Sequence, residues 1–215
     1  MTMPRCVAAT GNPGKLRELE RLLDPLGIRA CSQQDFGIEA PDEPFPGFVE
    51  NALVKARHAS GLAGLPAIAD DSGICVPALG GEPGIYSARF AQRAGQGAGD
   101  EANNRWLVER LRSIAPQADD PARTACYVCV LVWVEHAADP LPLIAQGLWY
   151  GHVIDSPRGS AGFGYDPHFL LPDLGRTAAE LAPEHKNAIS HRALAMQSLG
   201  AQLLARNAHA RAPAG

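Results

Sequence analysis

The chain has 215 residues, 46% of them hydrophobic and 20% charged, which is enough for one sizeable α/β domain with a substantial core. A formal net charge of −4 excludes a surface built to coat nucleic acid, but not one small polyanion in a locally basic pocket. No apolar run reaches the length of a membrane span, and the amino-terminal stretch lacks a signal-peptide core. The expectation is a cytoplasmic protein with neither nucleic acid nor membrane as partner.

In chain order, "RCVAAT" (5–10) reads as a first strand, "GNPGK" as a Gly-rich turn, and leucines 16, 19, 22, 23 and 26 as one face of a helix stopped by Gly27. "CSQQDFGIEAPDEPFPG" is acidic and punctuated by prolines, so an irregular exposed loop is expected. "FVENALVKARHASGLAG" is a second helix with Phe48, Ala52, Ala56 and Ala59 on one stripe. "LPAIA" reads as a strand that ends on Asp70-Asp71 and turns at Ser72-Gly73, and "ICVPAL" as a possible further strand. "GGEPGIYSARF" reads as a loop.

Asp100 can cap the helix "EANNRWLVERLRSI", with Trp106, Leu107, Leu111 and Ile114 facing inward. "RTACYVCVLVWVEH" and "LPLIAQGLWYGHV" are long strands joined by a hairpin at "AADP". Within the first of them, Cys126 and Cys129 lie three apart and point to opposite faces, so their C-x-x-C spacing reads as core rather than as a metal pair. "DSPRGSAGFGYDPHF" is a loop, Thr177 with Glu180 is a capping-box pattern, and a last helix is expected over about 184–206. The class is mixed α/β.

Adjacent aspartates at the end of a buried segment repel each other and lose hydration, so a cation, donors or catalysis must compensate unless they form a solvated turn. Arginine outnumbers lysine heavily, and the only lysines are Lys15, Lys55 and Lys186. "TGNPGK" has the physics of a phosphate-binding turn: glycines allow close approach, a helix N-terminus follows, and Lys15 supplies charge. It lacks the Walker A spacing. Taken singly, Lys55 is an ordinary surface charge, and Lys186, His191 and Arg192 are a solvated helix end. "GFGYD" is either an irregular turn or an aromatic ring beside a carboxylate, as in nucleobase pockets.

In combination, "TGNPGK", "FVENALVKA", "ADDSG", "GGEPGIYSARF", "GFGYDPHF" and "KNAISHR", in that order, resemble the inosine triphosphate pyrophosphatase family over almost the whole chain. The resemblance implies hydrolysis of deaminated purine nucleoside triphosphates to the monophosphate and pyrophosphate. It also implies an elongated mixed sheet flanked by helices, with two lobes and a cleft between them. A single bilobed domain would cover 1–206, followed by a disordered tail over 207–215, and the chain would form a homodimer.

Site residues follow by the same resemblance. Asp71 would be the catalytic acidic centre that holds Mg2+ and activates water, assisted by Glu43 or Asp42, between which the sequence does not choose. Thr10, Gly11, Asn12, Pro13, Gly14 and Lys15 would hold the triphosphate, with Lys55 and Ser72 nearby. Phe163, Gly164, Tyr165 and Asp166 would form the base-binding loop, and Lys186, His191 and Arg192 would read the purine edge. The rivals are a hydrolase of another nucleotide pool and a nucleotide-binding regulator without turnover.

Overall fold

A computed structural model describes residues 3–117 and 119–211. In chain order the elements are β1 (Arg5–Ala9), α1 (Pro13–Leu23), β2 (Arg29–Ser32), α2 (Phe48–Ala63), β3 (Ala67–Cys75), α3 (Phe90–Arg93) and α4 (Asp100–Ile114). They continue with β4 (Thr124–Val134), β5 (Leu143–Val153), β6 (Phe169–Leu171), β7 (Arg176–Thr177), α5 (Pro183–Ile189) and α6 (His191–Arg211). The strands form one seven-stranded sheet in the order β2-β1-β3-β4-β5-β6-β7. β1 pairs in parallel with β2 and β3, whereas β5–β6 and β6–β7 are antiparallel, so the sheet is mixed. The α/β class read from the sequence is the observed one.

The chain divides into two compact units. One is built from residues up to Asp71, Cys129–Gly147 and Arg192 onward; the other from Ser72–Val128 and Leu148–His191. The first unit's core gathers Leu19, Leu23, Ile68, Leu131, Trp133 and Leu199. The second's gathers Ile74, Leu107, Leu111, Tyr127, Trp149 and Phe169.

Several local expectations are corrected. The double aspartate does not end a strand: β3 runs unbroken through Asp70, Asp71, Ser72 and Gly73 to Cys75. Gly73 is required there, because a Cβ would stand 2.3 Å from the carbonyl oxygen of Gly84 and 2.5 Å from Ser87 Oγ. "ICVPAL" is therefore the end of β3 followed by a 3-10 turn at Pro77–Leu79. The "GGEPGIYSARF" loop contains a 3-10 helix, Gly84–Arg89, that leads into α3.

Gly99, not Asp100, is the N-cap of α4, and Ile114 is half exposed while Leu107 and Leu111 are fully buried. The last helix is two helices, broken where Ser190 turns extended. α6 continues to Arg211, so the first residues of the expected tail are helical, and 212–215 lie outside the described residues. The capping box of Thr177 and Glu180 is present, on a 3-10 turn.

Candidate active site

Parallel pairing places the functional ends of the first unit. Ala9 at the end of β1 is in register with Ala69, so the turn that leaves β1 at Thr10 emerges beside Asp70. Asn12 caps α1: its Oδ1 accepts from the N–H groups of Gly14 (2.8 Å) and Lys15 (3.3 Å), and Thr10 Oγ1 accepts from Asn12 N (3.1 Å). Those two N–H groups, expected to face an anion, are thus already satisfied. The capacity of this turn for phosphate rests on its side chains and on the open, exposed space around Gly11.

Successive residues of a strand point to opposite faces, which separates the two aspartates. Asp70 is buried and accepts from Lys15 Nζ at 2.5 Å on Oδ1, and from Arg192 Nε at 2.7 Å and Cys129 Sγ at 3.2 Å on Oδ2. Arg192 also bonds Glu18 of α1. Burial works to raise the Asp70 pKa, but Arg192 and Lys15 hold it well below the usual carboxylate range. Glu18 and the partners of Asp70 were not singled out from the sequence, and Cys129 was read only as core, where it does lie. The tiny signal available was the pairing of an unusual aspartate with one of only three lysines.

Asp71 meets a different lysine. Lys55 Nζ lies 2.8 Å from Asp71 Oδ1 and 2.9 Å from Glu43 Oε1. The alanine stripe of α2 (Ala52, Ala56, Ala59) is fully buried and lets this helix lie close to β1, so Lys55 reaches inward instead of forming a surface charge. Buried Asn51 pins the acidic loop by donating to Phe45 O and accepting from Phe45 N, which sets Glu43 near Lys55. Asp42, its alternative, is exposed. Burial pushes the Asp71 carboxyl up despite Lys55, and Asp71 Oδ2 is buried with no hydrogen-bond partner among the described residues. Lys55 is itself raised: burial opposes its charge, but Asp71 and Glu43 outweigh it. Ser72 follows on β3, half-buried.

The second unit holds the remaining residues. Asp166 is buried: Oδ2 accepts from Lys186 Nζ at 2.6 Å and Phe163 N at 2.9 Å, and Oδ1 accepts from Tyr127 OH at 3.2 Å. The Lys186 ammonium lies 5.1 Å from the centre of the half-exposed Phe163 ring. Gly162 (φ +80°) is needed because a Cβ would reach 2.0 Å from Asp166 Oδ2. The Gly164 peptide is clamped from α4, its N–H donating to Asp100 Oδ2 (2.6 Å) and its carbonyl accepting from Asn104 Nδ2 (2.8 Å). Tyr165 turns inward, its ring buried and its hydroxyl donating to Ser87 O at 2.8 Å. His191 stacks on Tyr127 at 4.7 Å.

Lys186, His191 and Arg192 are all buried, so they are not a solvated helix end. They are not one group either, since Arg192 is engaged with Asp70 and Glu18. Among the described residues, no three His, Cys, Asp or Glu side chains form a metal cage by themselves.

The Ham1 family model matches residues 6–202. A Ralstonia nicotianae protein named dITP/XTP pyrophosphatase is 61% identical over 92% of this chain and 95% of its own length. One of the same name from Burkholderia pseudomallei is 59% identical over 93% of each. Among solved structures, a HAM1 protein from Coxiella burnetii superposes with a TM-score of 0.84 at 44% identity, covering 94% of this chain and all of that one. The Staphylococcus aureus Ham1 protein gives 0.79 at 34%, covering 94% and 99%. With the family model spanning nearly the whole chain and such relatives matched end to end, this chain belongs to the Ham1 family.

Proposed function

We propose that this chain hydrolyses the deaminated purine nucleoside triphosphates ITP, dITP and XTP to the monophosphate and pyrophosphate, clearing them from the nucleotide pool. Family membership and the shared name of its relatives support the substrate class and the reaction. The observation that carries the chemistry is Asp71, a buried carboxylate with one oxygen on Lys55 and the other, among the described residues, unbonded.

Mg2+ belongs to this reading. The ion typically takes one or two carboxylates and completes its octahedron with water and substrate phosphate, so a full protein cage is not needed. Asp71, through its unpartnered Oδ2, and Glu43 fit that donor set and would hold it; Asp42 is the exposed alternative. When bound, Mg2+ offsets polyphosphate charge and stabilises the charge that develops on the leaving pyrophosphate.

The chain's own groups do the rest. Thr10, Asn12 and Lys15 of the β1–α1 turn, with Lys55 and Ser72, hold the triphosphate. Water polarised by the Asp71 carboxylate attacks the α-phosphorus and releases its proton to solvent, and the bond from the α-phosphorus to the bridging oxygen breaks, releasing pyrophosphate. The base falls to Phe163–Asp166, Lys186 and His191, while Arg192 serves through Asp70. Product analysis by 31P NMR tests the reaction: IMP and pyrophosphate from ITP with Mg2+ are expected, and orthophosphate as the first product overturns it.

The same reading makes the protein a cytoplasmic homodimer. No described helix is long and apolar enough to cross a membrane, and five unpaired cysteines suit a reducing compartment. Exposed Leu148 and Tyr150 on β5 offer apolar surface to a second copy. Light scattering at the mass of a monomer would remove the dimer.

A further inference from the structure

We infer that Tyr127 is a specificity-positioning residue, a single side chain on β4 that ties the Asp166 loop to the His191 ring; this rests on assigning Phe163–Asp166, Lys186 and His191 to base recognition. Its hydroxyl donates to Asp166 Oδ1 at 3.2 Å, on the carboxylate oxygen that neither Lys186 nor Phe163 N occupies. Its ring lies parallel to the His191 imidazole, with centroids 4.7 Å apart and planes within 7°. Trp149 and Phe169 pack around the same ring, at 6.3 Å and 4.5 Å.

A phenylalanine would fill this core position equally well by volume, so the hydroxyl is not explained by packing. Burial and the neighbouring carboxylate both push the phenol well above its ordinary pKa, so it stays protonated and acts as the donor. Asp166 thereby has three donors from three places: α5 through Lys186, its own loop through Phe163 N, and the sheet through Tyr127. With all three, the carboxylate has one orientation, and Lys186 and the loop backbone are fixed relative to His191. Without the hydroxyl, Oδ1 loses its only tie to the sheet among the described contacts, and the loop can rotate about the Lys186 pair.

The test is full-length Tyr127→Phe against the native protein, with kcat and KM measured for ITP and for ATP by pyrophosphate release. The expected result is a KM for ITP raised about tenfold with kcat within about twofold, as for loss of one hydrogen bond to a charged group that affects binding only. The ITP-to-ATP ratio of kcat/KM falls by the same factor, and the melting temperature stays within a few degrees. An unchanged ratio overturns the inference. So does an equal loss on both substrates with a much lower melting temperature, which assigns Tyr127 to packing alone. A native protein that treats ITP and ATP alike removes the base-site reading itself, and is seen before any variant is made.

Discussion

Lys55 Nζ bridges Asp71 Oδ1 and Glu43 Oε1 at 2.8 and 2.9 Å, so one ammonium holds together two carboxylates that would otherwise repel. The arrangement leaves Asp71 Oδ2 buried and, among the described residues, unbonded. A buried carboxylate oxygen without a donor is costly, and such exceptions mark groups whose partner arrives with the substrate or a metal. Lys55 lowers the cost of assembling the pair but does not occupy the second oxygen.

Asp71→Asn keeps the shape and the packing but removes the charge that would hold the metal and polarise water. Its kcat is expected to fall roughly a hundredfold or more, since water-activating and metal contributions are each of that order. Near-normal turnover in a folded protein would move the role elsewhere. Glu43 and Asp42 separate in the same assay: Glu43→Gln should raise the Mg2+ concentration needed for half-maximal rate, and Asp42→Asn should leave it nearly unchanged. The reverse pattern assigns the assisting carboxylate to Asp42.

The sequence exposes most of this architecture where periodicity is strong. The leucines of α1, the alanine stripe of α2 and the two long strands β4 and β5 were legible because side-chain spacing reports which face is buried. The short strands β2, β6 and β7 were not, because two to four residues carry too little pattern. The strand expected to end on Asp70-Asp71 and turn at Ser72-Gly73 runs on to Cys75, because local turn preference at Ser-Gly is overridden by the tertiary structure, in which cations from α1, α2 and α6 meet the two aspartates. All three lysines fall on carboxylates, Lys15 on Asp70, Lys55 on Asp71 and Lys186 on Asp166, which the sequence shows only as a shortage of lysine. Tyr127 and Cys129 were hidden inside a strand that reads as plain core.

On the proposed reading Asp70 supports the site through its cations and does not react. With Asp70→Asn, the buried Arg192 guanidinium loses its main counter-charge and keeps the pair with Glu18. Removing one partner of a buried ion pair costs about 3–5 kcal/mol, so denaturant unfolding should show a loss of that order. A stability change below about 1 kcal/mol would mean that the neutral amide satisfies Arg192 as well.

Arg123, fully buried, donates to Ala115 O and Val153 O and pairs with Asp155 at 2.7 Å, while Arg112 holds the other Asp155 oxygen at 3.1 Å. Burial alone would raise the Asp155 pKa, but the two guanidiniums lower it. A carboxylate with a lower pKa folded than unfolded adds stability above its unfolded pKa, and that stability is lost as pH falls through the folded value. The stability gap between the native protein and Asp155→Asn should therefore be full at pH 7, on the order of 1–2 kcal/mol after allowing for partial exposure, and close in strong acid. A gap independent of pH would show that the charge of Asp155 is not what matters.

The base sets the last expectation. Hypoxanthine and xanthine carry an oxygen acceptor at the 6-position, where adenine carries an amino donor. The second unit supplies the Lys186 ammonium, a donor without acceptor capacity, held in a buried pair beside Phe163. A donor-lined site meets adenine donor against donor and leaves buried groups unpaired, a mismatch that can be worth about 10⁴-fold in kcat/KM. Guanine keeps the 6-oxygen, so it must be rejected through its 2-amino group. ITP, dITP and XTP are therefore expected to be good substrates, GTP poor and ATP very poor, with the 2′-hydroxyl of little consequence. Lys186→Gln should lower kcat/KM for ITP much more than for ATP and compress the ratio between them. Measuring kcat/KM for all five triphosphates on both proteins decides it: comparable native values for ITP and ATP refute donor-based selection, and a ratio unchanged in Lys186→Gln takes Lys186 out of it.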